Sequence, residues 1–370
     1  MKVLTVLGAR PQFVKAAALS AEFSKYSEIE EIVVHTGQHF DANMSEDFFS
    51  ELKIPTPKYH LNRSAEIPGS LSFGAMLDFV EGVIESERPD WVLIYGDTNS
   101  TLAAAIAAAR SRHSVAHVEA GLRSYYPGQP EELNRTLADR ISRVLFCPTE
   151  YSKECLQKEG YPFHVATPRG SALQEIRVVG DVMLDLFKTV AGDDRLSAEF
   201  KKHPFSEGGY VLCTVHRAEN TDNRVRLESI LRSLDRIAHD IDVVIPLHPR
   251  TRKCISRYSL DPLLRKLNVL PPISYLSLQA LQRNSKMVLT DSGGVQKEAF
   301  FHGKPCITLR DETEWVETVS SGWNSVTGCR EHDIVFCFHK FMGIDWSSKP
   351  IPKIFGDGGA ARKIVERLIA

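Results

Sequence analysis

Residues 91–110, with the sequence WVLIYGDTNSTLAAAIAAAR, decide the fold of this chain. Trp91–Tyr95 is a continuous apolar run, and residues 100–110 behind it have a helical period. A strand that is apolar at every position is buried on both faces of its sheet, as in parallel sheets covered by helices. The segment therefore predicts a strand, a loop and a helix from an α/β domain.

On both sides of this segment, apolar strand candidates alternate with helix candidates. The alternation starts again in the second half of the chain. In the first half the further strand candidates are 3–7, 31–34, 115–118 and 144–147, and the helix candidates are 11–23, 71–86 and 131–142. In the second half the strand candidates are 210–215, 243–247, 287–290 and 306–309, with helix candidates near 224–239, 276–283 and 294–301. Residues 162–176 resemble an irregular insertion, and residues 336–354 show no clear period.

Two consecutive parallel sheets predict two Rossmann-like α/β domains. The length agrees, since 370 residues are too many for a single hydrophobic core. The predicted divisions are an N-terminal domain at 1–186, a charged connection at 187–209, a second domain at 210–355 and a C-terminal helix at 356–370 that packs back on the first domain. Ligands of open parallel sheets bind outside the carboxyl ends of the strands. We therefore expect the loops of the two sheets to face one another across a central cleft.

The composition is that of an ordinary globular protein, with 43% hydrophobic and 25% charged residues. Lys plus Arg total 45 against 47 for Asp plus Glu, which argues against broad binding to nucleic acid or to an anionic membrane. No apolar stretch approaches a membrane span, and the first residues predict a strand rather than a signal peptide. The seven cysteines are dispersed without a CxxC pair, so we expect no disulfide framework or zinc site and a cytoplasmic location.

The first polar cluster directly follows the first strand, in GARPQFVK at residues 8–15. Pro11 suits the first position of a helix, so a helix N-terminus with free amides and a positive dipole end lies within this loop. Arg10 and Lys15 add two cations to this helix N-terminus, and the combination favours binding of a phosphate or a carboxylate. A capped helix with two solvated cations explains the same residues equally well. The chain contains no GxGxxG dinucleotide motif.

A second cluster is acidic. Asp97 ends one strand candidate, Glu119 ends the next, and Glu131 opens the following helix. Asp97 and Glu119 emerge side by side if their strands are neighbours, and converging carboxylates retain protons more readily and can transfer them near neutrality. The alternatives are that Asp97 caps a helix and that Glu131 only favours a helix N-terminus. No ligand spacing supports a metal site.

A third cluster, VHRAEN at residues 215–220, follows the first strand of the second half. It places His216 and Arg217 at a strand end, where a histidine serves as an acid, a base or a phosphate ligand. His248 occupies a similar strand end in LHPR. A lone histidine is usually structural, but two at equivalent positions of neighbouring strands indicate a functional site.

The fourth cluster is TDSGGVQKEA at residues 290–299. Ser292, Gly293 and Gly294 bring backbone amides to a helix N-terminus, which suits a diphosphate. Glu298 lies one turn further on the same face, where a carboxylate can accept hydrogen bonds from two ribose hydroxyls. This combination of a Gly-Gly turn with an acidic residue one turn later favours a sugar nucleotide.

Together these segments resemble the non-hydrolysing UDP-N-acetylglucosamine 2-epimerase family, and most closely its branch that acts on UDP-2,3-diacetamido-2,3-dideoxyglucuronate. The resemblance runs nearly end to end, in the order GARPQFVK, YGDTNST, HVEAGLRS, PEELNRTLAD, HRAEN, HPRT, TDSGGVQKEA, RDETEW and FGDGGAARKI. It implies two Rossmann-like domains facing a cleft, as in GT-B glycosyltransferases. It also implies a homodimer that supplies precursors of bacterial surface polysaccharides.

The resemblance implies a role for each cluster. The residues it assigns to binding of UDP or of the sugar are Arg10, Lys15, Arg217, His248, Ser292, Gly293, Gly294 and Glu298, with Lys15 near the sugar. The residues it assigns to proton transfer at the sugar are Asp97, Glu119, Glu131 and His216. In the implied reaction the C2 proton is removed while UDP leaves by anti elimination, and UDP then re-adds to the 2-acetamidoglucal. Neither a cofactor nor a metal is required, and the carboxylate that removes the proton is left open.

Three departures from the family pattern concern the substrate. Most relatives carry TRPE at residues 9–12, where this chain has ARPQ, and TERPE where it has TEWVE at residues 313–317. Relatives activated by UDP-GlcNAc carry a QHR-type motif, but here Phe40 follows Gln38-His39. The variants predict a 3-acetamido, 6-carboxylate sugar and no requirement for an activator. Candidate cations for the C6 carboxylate are Arg10, Lys15, Arg123 and Arg250.

Three other functions fit parts of the same pattern. A hydrolysing relative would release free sugar and UDP, and differs only in whether the glycal is recaptured. A retaining glycosyltransferase shares the two-domain shape but does not need so many carboxylates at the sugar. A non-catalytic UDP-sugar sensor has no need of groups that transfer protons.

Overall fold

The structure is a computed structural model that describes residues 1–38, 49, 51–61, 72–126, 128–192 and 194–370. It divides into two compact units, of which unit 1 comprises Met1–Lys188 with Lys353–Ala370 and unit 2 comprises Thr189–Pro352. Each unit contains a parallel sheet of the doubly wound type, so the α/β class predicted from the alternation of strands and helices is confirmed. Within the described residues, no helix combines the length and the apolar character that crossing a membrane requires.

Unit 1 is built around a seven-stranded sheet in the order β3-β2-β1-β4-β5-β6-β9, in which all pairings are parallel. Its strands are β1 Lys2–Leu7, β2 Glu30–His35, β3 Tyr59–His60, β4 Trp91–Tyr95, β5 Ser114–Val118, β6 Val144–Cys147 and β9 Glu175–Val178, and β7 His164–Thr167 pairs with β8 Gly170–Leu173 as a separate antiparallel hairpin. The direction of winding reverses between β1 and β4. At such a switch point the loops after two strands diverge and leave room for a ligand.

Helices cover both faces of this sheet. They are α1 Arg10–Phe23, α2 Phe73–Glu87, α3 Asn99–Arg110, α4 Pro130–Ile141, α5 Glu150–Lys158, α6 Val182–Ala191 at the boundary with unit 2, and α15 Ala360–Ile369. Hydroxyl side chains cap the N-termini of three of them, since Ser72 accepts from the Ala75 N–H, Thr98 from the Thr101 N–H and Thr149 from the Ser152 N–H. The core between sheet and helices is aliphatic, with Leu4, Val6 and Ile94 fully buried. Strands buried in this way explain the continuous apolar runs of the sequence.

Unit 2 repeats the arrangement with six parallel strands in the order β12-β11-β10-β13-β14-β15. The strands are β10 Tyr210–Thr214, β11 Asp242–Pro246, β12 Asn268–Leu270, β13 Met287–Thr290, β14 Cys306–Thr308 and β15 Asn324–Val326. The helices are α7 Asp194–Phe200, α8 Ala218–Thr221, α9 Arg224–Ile237, α10 Pro249–Arg257, α11 Tyr275–Asn284, α12 Gly293–Phe301, α13 Val316–Ser320 and α14 Glu331–Met342, with a 3-10 turn at Asp261–Leu264. The switch point lies between β10 and β13.

Two segments differ from the sequence prediction. Residues 162–176, predicted as an irregular insertion, form the β7–β8 hairpin and the start of β9, which extends the sheet by pairing with β6. Residues 336–354 were predicted to have no period, yet α14 runs through Met342 and buries Ile334, Phe338 and Phe341 on one face. The predicted connection at 187–209 contains the end of α6 and all of α7.

The C-terminal helix α15 packs in unit 1, against α1. Trp91 donates through its indole N–H to the Leu368 carbonyl at 3.2 Å, and Arg367 pairs with Glu175 at 2.6 Å. These contacts tie α15 to two strands of the unit 1 sheet. Unit 1 is therefore formed from two separate stretches of sequence.

Candidate active site

The loop after β1 is held by the side chain of Gln12, which is almost fully buried. Its Oε1 accepts from the N–H groups of Gly8 and Ala9 at 2.8 and 3.0 Å. Its Nε2 donates to the Tyr95 carbonyl and to Thr101 Oγ1, both at 3.1 Å. One amide therefore joins the ends of β1 and β4 to α3. Because α1 begins at Arg10, this contact fixes the helix N-terminus that the sequence predicted here.

Lys15, one turn into α1, forms an ion pair with Glu119 Oε1 at the end of β5. Both side chains are only 7% exposed. Glu119 has a left-handed backbone with φ of 71°, and its N–H donates to the Phe146 carbonyl. The sequence assigned these residues to two separate clusters, and the structure brings them into direct contact.

Gly96 makes room for this pair. It has φ of +60°, and a Cβ on it would lie 2.9 Å from Lys15 Nζ and 3.4 Å from Glu119 Oε1. A side chain at this position would therefore clash with the lysine, in a backbone conformation that already favours glycine. The turn at Gly96 leads directly to Asp97.

Asp97 and Glu119 leave adjacent strands, because β4 and β5 pair with Tyr95 opposite Val118. Asp97 pairs with the Arg135 guanidinium of α4, and its carbonyl accepts from Asn134 at 3.0 Å. The side chain of Asp97 does not cap α3, since Thr98 is the N-cap. The sequence predicted that these carboxylates converge at one edge of the sheet; in the structure Asp97 and Glu119 each also pair with a cation, Arg135 and Lys15.

Glu131 lies in the first turn of α4 and is partly exposed. Its neighbour Glu132 ties this helix to the preceding loop. Glu132 accepts from the N–H groups of Ser124 and Tyr125 at 3.0 Å each and from Arg135 at 2.8 Å. Glu132 therefore holds the loop that precedes α4, whereas Glu131 lies at the N-terminal end of the helix.

Four titratable residues of unit 1 form a network that the sequence did not predict. His117 Nδ1 lies 2.8 Å from Asp139 Oδ1, and Arg123 Nη1 donates to Asp139 Oδ2 at 2.7 Å. Arg123 also makes a bidentate pair with Glu159 at 2.7 and 2.8 Å. Arg123 is buried and fully engaged here, which corrects its candidacy as a cation for a sugar carboxylate. The only sequence signal was a histidine inside a buried strand.

In unit 2, His216 and Arg217 are anchored by Asp291, which follows β13 and is fully buried. Both oxygens of Asp291 accept from the His216 N–H at 3.1 Å, and one accepts from the Arg217 N–H at 3.0 Å. The His216 ring lies with Nδ1 at 3.4 Å from Asp291 Oδ1 and is exposed. Asn220 donates to the same carboxylate and to the Leu309 carbonyl. A buried carboxylate thus holds an accessible imidazole at the switch point of the sheet.

His248 follows β11, the neighbour of β10, and its ring centroid lies 6.0 Å from that of His216. It is the N-cap of α10, with Nδ1 accepting from the Arg250 N–H at 3.2 Å. The prediction that the two strand-end histidines lie together is confirmed. Arg250 forms an ion pair with Asp222.

The helix α12 begins as the sequence predicted, with Ser292 as N-cap accepting from the Val295 N–H. A Cβ on Gly293 would lie 2.6 Å from Glu314 Oε1 and 3.2 Å from Trp315 Nε1, so a side chain here would have to displace Glu314. Glu298 is 4% exposed and accepts from Gln282 Nε2 at 2.8 Å. Gly294 is the second residue of the helix, so the glycine pair opens α12.

Comparison with known proteins places this geometry in a family. The model of the UDP-N-acetylglucosamine 2-epimerase family matches residues 21–369. The chain is 45% identical to UDP-2,3-diacetamido-2,3-dideoxy-D-glucuronate 2-epimerase of Pseudomonas aeruginosa, over 100% of this chain and 99% of that one. The chain belongs to the UDP-N-acetylglucosamine 2-epimerase family. It is therefore an enzyme of the isomerase class, and the resemblance inferred from its motifs is confirmed.

Two solved structures of the family share its fold over the whole chain. The UDP-GlcNAc 2-epimerase of Methanocaldococcus jannaschii, in complex with UDP-GlcNAc and UDP, has a TM-score of 0.88 and 36% identity, covering 100% of this chain and 99% of that one. The enzyme of Neisseria meningitidis bound to UDP-GlcNAc has a TM-score of 0.87 and 32% identity, covering 100% of both chains. Both complexes were obtained with a nucleotide sugar.

One departure of this epimerase from the family's TERPE motif is visible beside the glycine turn. Trp315 is buried, and its ring stacks under the ammonium of Lys297, which lies 4.0 Å from the ring centroid. Glu314 is held by Arg310 at 2.8 Å. An aromatic ring therefore packs on a cation at the position where most relatives carry arginine.

The departure at the activator motif is only partly described. Gln38 Oε1 accepts hydrogen bonds from the backbone N–H and the hydroxyl of Ser100, at 2.9 and 2.7 Å. His39 and Phe40 lie outside the described residues. In the described parts of this epimerase, no group of three or more His, Cys, Asp or Glu side chains is arranged to hold a metal ion.

Proposed function

We propose that this enzyme reversibly inverts C2 of a UDP-2-acetamido sugar, without hydrolysis. A base removes the C2 proton while the C1–O bond to UDP breaks, and the electron pair of the C2–H bond forms the C1=C2 double bond of a 2-acetamidoglucal. UDP then adds back to C1 while a proton reaches C2 from the opposite face. The product retains its link to UDP.

The observation that carries this proposal is the emergence of Asp97 and Glu119 from the adjacent strands β4 and β5, at the carboxyl edge of the unit 1 sheet beside its switch point. We assign proton transfer to these carboxylates, to Glu131 and to His216, because elimination and re-addition require both a base and an acid. Lys15 forms an ion pair with Glu119 and so fixes the position of this carboxylate.

We assign UDP to the switch point of unit 2. The N-terminus of α12, with Ser292 and the two glycines that follow, offers amides and a positive dipole end to the diphosphate. Glu298 is assigned to the ribose, and Arg217 and His248 to the phosphates. Arg10, at the first turn of α1, is assigned to the leaving diphosphate, where a cation stabilises developing negative charge.

For the sugar we propose a 3-acetamido, 6-carboxylate derivative. The 45% identity to the Pseudomonas aeruginosa enzyme supports this assignment, as do the ARPQ and TEWVE variants. Among the candidate cations for the C6 carboxylate, Arg123 is excluded by its buried contacts with Asp139 and Glu159. Lys15 is likewise buried in its ion pair with Glu119, which leaves Arg10 and Arg250.

An NMR time course in deuterated water with candidate UDP-sugars tests the reaction. The C2 epimer should appear with deuterium at C2 and with its link to UDP intact, and long incubation should release traces of UDP and the glycal. Protium retained at C2 would contradict elimination with solvent exchange. Free sugar formed in step with UDP would identify a hydrolysing epimerase instead.

Specificity constants measured side by side test the substrate. The diacetamido-glucuronate should give a higher kcat/KM than UDP-GlcNAc, with no stimulation by added UDP-GlcNAc. Faster turnover of UDP-GlcNAc, or dependence on it, would contradict the assignment. Sedimentation analysis of the purified enzyme tests the proposed homodimer.

A further inference from the structure

His117 is fully buried in β5, and both of its ring nitrogens make hydrogen bonds. Nδ1 lies 2.8 Å from Asp139 Oδ1, and Nε2 lies 2.8 Å from the carbonyl oxygen of Gly96. A carbonyl oxygen only accepts hydrogen bonds, so Nε2 must carry a proton. The state of Nδ1 depends on whether Asp139 is ionised.

Asp139 is surrounded by donors. Its Oδ2 accepts from the Gly121 N–H at 3.1 Å and from Arg123 at 2.7 Å. Burial raises the pKa of Asp139, but hydrogen bonds and charges from His117 and Arg123 hold it below the ordinary value. The Gly121 N–H and Arg123 donate to Oδ2 whatever the state of His117, and both favour the ionised carboxylate. An ionised carboxylate can only accept, so Nδ1 of His117 also carries a proton.

We propose that His117 is a buried imidazolium that acts as a positioning residue for the reaction. It holds the carbonyl of Gly96, and through it the turn that leads to Asp97 and covers the Lys15–Glu119 ion pair. The kinetic part of this inference rests on the proposed function, whereas the charge state of His117 does not.

The charges of the network support the imidazolium. Two cations, His117 and Arg123, face two carboxylates, Asp139 and Glu159, so the charged form of His117 makes the network neutral. A neutral imidazole carries a proton on only one ring nitrogen, so it would lose one of these two hydrogen bonds.

Two further titratable groups that interact with Asp139 stay uncharged. Burial raises the pKa of the Cys147 thiol on β6 and of the Tyr161 hydroxyl beyond α5, and the charge of Asp139 adds to both effects. Because Cys147 and Tyr161 stay neutral, neither of them contributes a charge to the network around Asp139.

The geometry of the turn explains why this contact matters for position. Gly96 and Gly121 have φ of 60° and 80°, and Glu119 between them has φ of 71°. Three residues with a left-handed backbone therefore follow strands β4 and β5. His117 and Asp139 connect the turn after β4, through the Gly96 carbonyl, to the turn after β5, through the Gly121 N–H. Loss of this link would let the carboxylates shift, and a shift of about 1 Å can cost roughly 100-fold in rate.

Nitrogen NMR of histidine-labelled enzyme tests the charge state. Both ring nitrogens of His117 should give protonated signals at neutral pH. His117→Gln removes the signal and so assigns it, and Asp139→Asn assigns it independently by shifting it. An unprotonated nitrogen signal from His117 at neutral pH would overturn the imidazolium.

Kinetics of Asp139→Asn test the positioning role. We expect kcat per folded molecule to fall roughly 100-fold, while UDP affinity and KM stay close to those of the parent enzyme. His164→Gln, on the exposed hairpin, is the matched control for His117→Gln and should change nothing. An unchanged kcat in folded Asp139→Asn would overturn the positioning role. If the parent enzyme does not epimerise any UDP-sugar, the proposed function fails while the NMR result still decides the charge state.

Discussion

Lys15 and Glu119 form a buried ion pair that joins the first helix of unit 1 to the end of its fifth strand. Neither residue has access to bulk water that would stabilise its charge alone. Breaking such a pair by removing one partner is costly, whereas removing both is often nearly neutral. This asymmetry allows the structural role of the pair to be separated from its chemical role.

We expect Glu119→Gln to lower the free energy of unfolding by about 3–5 kcal/mol, because it leaves the ammonium of Lys15 buried without a partner. The double variant Lys15→Met with Glu119→Gln should recover most of this loss. Neither variant should turn over substrate, and both should bind UDP. Urea unfolding, calorimetric titration with UDP and the deuterium assay measure the three effects. Turnover restored together with stability would contradict the chemical role of Glu119.

Gly96→Ala should destabilise unit 1 by about 1–3 kcal/mol, because it combines a left-handed backbone with a methyl group against Lys15 Nζ. Gly82→Ala is the matched control, since Gly82 lies inside α2 and a Cβ there meets nothing within 4 Å. That change should stabilise the protein by about 0.5–1 kcal/mol. Thermal unfolding of both variants provides the comparison, and equal effects would refute the steric argument.

Glu298→Ala should weaken UDP binding by about 1–3 kcal/mol if charge-assisted bonds to the ribose are lost. The control is Glu331→Ala, which removes a surface carboxylate of the same unit that pairs with Arg236. Calorimetric titration with UDP measures both variants. Unchanged affinity in Glu298→Ala would show that the nucleotide is not bound at α12.

Stability should depend on pH through His302, whose ring pairs with Gln279 at 2.9 Å. Burial, with the charges of Lys304 and Arg283, lowers the pKa of His302 from 6.5 to about 3. Below its ordinary pKa the unfolded chain takes up a proton that the folded protein refuses, so stability falls as the pH drops from neutrality toward 3. His302→Gln should abolish up to about 2 kcal/mol of the loss between about pH 8 and about pH 5. A pH profile identical to that of the parent would refute this assignment.

Most strands and helices followed from local pattern because buried parallel strands are apolar at every position. The predicted bounds of Trp91–Tyr95, Val144–Cys147 and Met287–Thr290 agree with the structure. Strand β9, with the sequence EIRV, escaped because it lies at the edge of the sheet and alternates charged with apolar residues. Its place depends on pairing with β6, a contact that no local pattern encodes. Helix α14 was not predicted because the segment interpreted as irregular began at residue 336, inside the helix, so its periodic apolar residues were not considered together.

The candidate site was predictable in position and less so in its contacts. Strand ends located Asp97, Glu119 and His216 correctly, because polar residues that interrupt apolar strands mark the carboxyl edge of a sheet. The partners could not be predicted, since the pairing of Lys15 with Glu119 and of Asp97 with Arg135 joins residues far apart in sequence. Only the fold brings these groups together.

The division of unit 1 into two stretches of sequence has a consequence for biosynthesis. The ribosome completes all of unit 2 before it makes α15, the helix that donates Ala361 N–H to Asp185 at 2.7 Å and packs against α1. During that interval the nascent first unit exposes the apolar strip on which Ile364 and Leu368 will be buried. Chaperone occupancy of arrested nascent chains should therefore persist past residue 352 and decline once α15 has left the exit tunnel.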